Sequence, residues 1–110
     1  MVADNLQPPG PPEPVRPDAR YVLHFKDEGQ DFLRWVLDAE GRVLRSELFQ
    51  TWLWKGYIVA NMRQLLVWKE NDDRHPNVHA KPHAYVIRPG DATGNQYPII
   101  HPVVRLEILS

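Results

Sequence analysis

A chain of 110 residues with 13 Lys and Arg, 14 Asp and Glu, a net charge of −1 and 43% hydrophobic residues fits one small globular domain. Without any cysteine, disulfide staples, thiolate zinc sites and thiol catalysis are excluded. Outside residues 1–20 acids and bases balance at 11 each, which lacks the basic excess of a strong nonspecific nucleic-acid binder.

Residues 1–20 carry six of the eleven prolines, Pro8, Pro9, Pro11, Pro12, Pro14 and Pro17. Proline fixes φ and removes the amide donor, so this stretch is expected to be a disordered, extended tether ahead of a domain over 21–110. A ligand for a proline-recognising groove is the other reading of Pro9-Gly10-Pro11-Pro12. No signal-peptide segment is present, and no apolar run reaches the roughly 18 residues of a membrane span. A cytoplasmic protein without a membrane partner is therefore expected.

Tyr21, Leu23 and Phe25 alternate with Val22, His24 and Lys26, the pattern of a strand with one apolar face. Lys26–Gln30 reads as a polar turn. Two apolar-rich runs, Phe32–Leu37 and Arg42–Leu48, then flank Asp38-Ala39-Glu40-Gly41, a hairpin signature. Leu33, Trp35 and Leu37 share one face; Phe32, Arg34 and Val36 share the other. With apolar groups on both faces, the sheet must curl or meet a partner.

The aromatic stretch 49–60 predicts a strand over 53–60, because Trp, Tyr, Ile and Val favour extended backbone. A helix over 49–66 is the alternative, since Met62, Leu65 and Leu66 follow at helical spacing. On the strand reading Asn61–Gln64 makes at most one short helical turn, and Leu65–Lys69 a further short strand. Residues 70–83 read as a long polar loop and Ala84–Arg88 as a strand. Pro89–Asn95 forms a turn cluster. Tyr97–Leu109 closes the chain as a strand whose first part Pro98 and Pro102 restrict to an edge or a bulge. Six or seven short strands with turns between them predict a mainly β fold, a small antiparallel, partly open barrel or rolled sheet.

The segment 24–35, HFKDEGQDFLRW, together with Phe49–Trp54, FQTWLW, resembles small uncharacterised proteins of bacterial integrative and conjugative elements. Tyr97-Pro98-Ile99-Ile100 with Val103 and Arg105 is similar in position to their last strand. The polar stretch 70–83 departs from that compact pattern. The resemblance implies an accessory protein of a mobile element and transfers no site.

Candidate chemistry is sparse. His75, His79 and His83 stand four apart, a metal-binding spacing on a continuous helix. Pro76 and Pro82 deny them that helix, so no metal or other cofactor is expected, even with Asp72 and Asp73 near. His24 with Asp27, Glu28 and Asp31 offers an acid–base pair, yet at a turn where nothing buries it. Ser46 and Ser110 lie in no nucleophile elbow, and Gly90 and Gly94 belong to no phosphate loop. No catalytic residue and no enzyme activity are expected.

An aromatic–basic set remains. Arg34, Arg42, Arg45, Lys55, Arg63 and Lys69 interleave with Phe32, Trp35, Trp52, Trp54, Tyr57 and Trp68. Rings beside cations anchor protein interfaces and also stack single-stranded bases. Trp52, Trp54 and Tyr57, flanked by Arg34 and Lys55, are the expected contact residues. The expected function is a protein-interaction module, through a partner or a homodimer formed by strand addition. Single-stranded nucleic-acid binding is the alternative.

Overall fold

Alternation sets the first sheet. The computed structural model describes residues 17–26, 33–47 and 54–109. The expectations for the proline-rich head up to residue 16, the turn acids Asp27, Glu28 and Asp31, and the stretch 48–53 lie outside the described residues. Strands β1 (Tyr21–Phe25), β2 (Leu33–Leu37) and β3 (Val43–Glu47) run antiparallel, and β7 (Val103–Ile108) pairs with β1, giving the order β3-β2-β1-β7. Leu23, Phe25, Trp35, Leu37, Val43, Val103 and Leu106 are buried. Phe25 meets Trp35 edge-on with centroids 4.7 Å apart. The alternation in β1 and β2 thus builds one apolar face, as their sequences predict.

The expected hairpin is present. Asp38 accepts Gly41 N–H on its carbonyl at 3.0 Å, and its Oδ1 accepts the N–H groups of Glu40 at 3.0 Å and Arg42 at 2.8 Å. One short acidic side chain therefore satisfies two turn amides. Gly41 takes φ +88°, the left-handed step that carries such a turn back into the ladder. Beyond it the register slips between Val36 and Leu37, leaving Leu44 as an extra residue in β3.

A smaller sheet has the order β4 (Ile58–Val59), β5 (Tyr85–Ile87), β6 (Tyr97–Pro98). Among the described residues the two sheets touch at two places. On one side Val43 N–H donates to Tyr57 O at 2.7 Å and Val59 N–H to Gly41 O at 2.8 Å, with an isolated bridge between Arg42 and Ile58. On the other, Val103 N–H donates to Pro82 O at 2.8 Å, just ahead of β5. Neither junction continues as a ladder, so the wall is a partly open barrel.

Two local expectations are corrected. The strand expected over 53–60 contracts to Ile58–Val59, because Trp54–Gly56 form a turn with Gly56 at φ +90°. The single helical turn at 61–64 and the strand at 65–69 are replaced by one helix, α1 (Met62–Arg74). Leu65 and Trp68 are buried, and Met62 and Leu66 pack against the same core. A strand would instead have put Leu65 and Val67 on one face; Val67 points outward, 53% exposed. The 3.6-residue period overrides the β-propensity of Val67 and Trp68.

α1 carries the i,i+4 pairs Lys69–Asp73 at 2.7 Å, on the side toward β7, and Glu70–Arg74 at 3.7 Å, exposed to solvent. Part of the expected loop at 70–83 is thus helical. At the other end Asn61 anchors α1 to β5. Its amide donates to His83 O at 2.9 Å, and its carbonyl oxygen accepts Tyr85 N–H at 2.9 Å.

Candidate interaction edge

The expected contact residues do not form one cluster. Trp52 lies outside the described residues. Trp54 is half-buried and tilted against Trp35 with centroids 5.5 Å apart; Tyr57 meets Trp54 edge-on at 5.1 Å. Both pack against the core. Lys55 between them is exposed. Arg34, the neighbour of fully buried Trp35 on β2, takes the other face of the four-stranded sheet, opposite His24 in register. Rings and guanidinium are therefore separated by the sheet itself.

The three spaced histidines also diverge. His75 stands at the end of α1 with φ −134° and ψ 81°, the extended backbone imposed by the following Pro76. His79 is half-buried, and His83 donates Nδ1–H to Ile99 O at 2.8 Å. Among the described residues no group of three or more His, Asp or Glu converges on a common point.

His24 finds a partner far away in sequence. Its ring Nε2 hydrogen-bonds Glu107 Oε2, joining β1 to β7 on the outer face. Burial pushes the His24 imidazole below its ordinary pKa, against the opposing pull of Glu107. Burial works to raise Glu107, but the hydrogen bond and charge of His24, with Arg105 and Arg34, outweigh it and hold the carboxyl below the usual range.

Glu107 also opens onto a cleft of about 310 Å³ between α1 and β7. Trp68, Lys69, Asp72 and Asp73 line it from the helix, and residues 104–107 from the strand. This cleft runs beside the margin of the larger sheet, because among the described residues β7 pairs with β1 on one side alone. Leu109 N–H donates to Arg20 O at 2.7 Å. Ladder alternation then turns the N–H groups of Glu107 and Arg105 toward β1, and those of Leu106 and Ile108 outward. Among the described residues no backbone group pairs with that outward side beyond Val103.

Side chains alternate with the backbone. Leu106 is buried, Arg105 is exposed and lies 3.9 Å from Glu107, and Ile108 is 56% exposed. Such an edge is a template for another strand. Pro98 and Pro102 restrict only the start of the expected strand 97–109, and neither lies on β7: Pro98 falls on β6 and Pro102 precedes β7. Only the strand order shows that the open stretch is 104–108.

Among the described residues no helix is long and apolar enough to cross a membrane. No protein-family model matches this chain, and no curated protein or solved structure matches it.

Proposed function

We propose that this domain is a non-enzymatic interaction module that takes an extended segment of a protein partner onto the outer edge of β7. The observation that carries this reading is the open backbone edge at Leu106 and Ile108, beside a cleft and next to exposed Ile108. Backbone hydrogen bonds supply affinity in strand addition, and alternate side chains supply selectivity. The His24–Glu107 pair supports the same reading, since it ties the outer face of β7 to β1 beside the open edge. Its imidazole does not line the cleft. The resemblance at residues 24–35 implies that this chain is an accessory protein of a bacterial mobile element, and on this reading it works in the cytoplasm.

Single-stranded nucleic acid has less support. A stacking surface needs rings and cations on one face, whereas Trp54 and Tyr57 pack against the core and Arg34 lies across the sheet.

The test is a photo-crosslinking residue placed at Ile108 in the producing cell, with the same residue at Val78, 70% exposed and outside β7, as control. Discrete protein adducts from position 108 alone are expected. No adduct from 108, or the same adducts from 78, contradicts the reading.

A further inference from the structure

We infer that the strand received by β7 is the β7 of a second copy of this chain, paired antiparallel about a two-fold axis at Leu106. This rests on the β7 edge being a pairing edge, as proposed above, and names its occupant.

The argument is one of register. Two identical antiparallel strands pair so that paired residue numbers have a constant sum. The outward N–H groups of Leu106 and Ile108 must meet outward groups on the other copy. Three centres near the middle of the open stretch satisfy that parity. Centring on Arg105 sets Arg105 against Arg105. Centring on Glu107 sets Glu107 against Glu107. Centring on Leu106 sets Arg105 of each copy opposite Glu107 of the other, twice over.

Directly opposed residues share a face, and like charges there destabilise a sheet while opposite charges stabilise it. Arg105 and Glu107 are on the same outer face of β7, 3.9 Å apart, and Arg105 is well exposed. The strand is thus charge-complementary to itself in one register and repulsive in the two adjacent ones. In the same register Ile108 of each copy reaches the bulged Val104 of the other, and pairing stops there because the outward N–H of Val103 is taken by Pro82 O. A two-fold pairing also closes on itself, giving a dimer with a continuous eight-stranded sheet rather than a fibre.

Sedimentation equilibrium of the full chain tests this, with Arg105→Glu, Glu107→Arg and their equimolar mixture. The wild type is expected at twice the chain mass. Each single reversal makes two repulsive pairs and weakens association by roughly tenfold or more. The mixture restores the dimer, because the doubly acidic strand complements the doubly basic one.

Glu107→Arg and Glu107→Cys both remove the partner of His24, so the circular dichroism of each variant must match the wild type before its association is read, and a second measurement reads the register directly. The chain has no cysteine. Mixed Arg105→Cys and Glu107→Cys proteins should oxidise to a mixed disulfide, with neither forming one alone. A wild type that stays monomeric overturns the second-copy assignment. Foreign adducts from Ile108 would then leave the edge reading standing, and no adducts would remove both. A dimer indifferent to both reversals, or disulfides within one variant, overturns the register.

Discussion

Val59 donates its N–H to the carbonyl of Gly41 at 2.8 Å, and its own carbonyl oxygen lies 2.9 Å from where a Cβ on Gly41 would stand. The hairpin turn and β4 are therefore docked backbone to backbone. This contact closes one side of the barrel and fixes the position from which α1 starts.

Gly41→Ala meets two penalties at once, φ +88° and the approach of Val59 O and Met62 Cγ at 2.9 and 3.0 Å. Gly90 has φ +79° with nothing within 4 Å of its missing Cβ, so Gly90→Ala meets the first penalty alone. Urea unfolding should show a loss of roughly 1 kcal/mol for Gly90→Ala and clearly more for Gly41→Ala. Equal losses would show that the close approach relaxes freely.

Trp54 bridges Trp35 and Tyr57 at the margin of the core. Trp54→Ala should lower stability by roughly 2–4 kcal/mol, at or below the range for full burial of such a ring. A folded protein of unchanged stability would make Trp54 a surface anchor after all.

Ser46 is 1% exposed beside Trp35, and no described residue hydrogen-bonds its Oγ. Ser46→Ala removes a buried hydroxyl that folding strips of water. Thermal and urea unfolding should show a gain of about 1 kcal/mol. A loss of that size would reveal a partner for the hydroxyl.

His24 and Glu107 both titrate below their ordinary values of 6.5 and 4.5. In each case the unfolded chain binds a proton more readily than the folded one. The stability they confer is complete above the unfolded values and is lost as pH falls through the folded ones. Urea midpoints should decline from about pH 6.5 downward. His24→Gln should flatten the part of that decline that begins near 6.5. An unchanged slope in the variant would remove His24 as its source.

Much of the wall was legible because period-2 patterns are local. Tyr21–Phe25 and the hairpin around Asp38–Gly41 fold as their alternation predicts. The helix was not, because Leu65, Leu66, Val67 and Trp68 are apolar in a row and suit either period until the core selects Leu65 and Trp68. The slips that leave Leu44 and Val104 unmatched have no local signature. Nor does the meeting of His24 with Glu107, which depends on β1 and β7 being neighbours. Trp54 and Tyr57 invited a surface reading because a ring in sequence carries no mark of which way it faces.

Amide exchange by NMR across a protein dilution series bears on the β7 edge residue by residue. In dilute protein the Leu106 and Ile108 amides should exchange fast while those of Arg105 and Glu107 are protected by β1; on association Leu106 and Ile108 should become protected too. Protection of Leu106 and Ile108 at every dilution would mean that the chain covers its own edge, and exchange unaltered by association would mean that partners bind elsewhere.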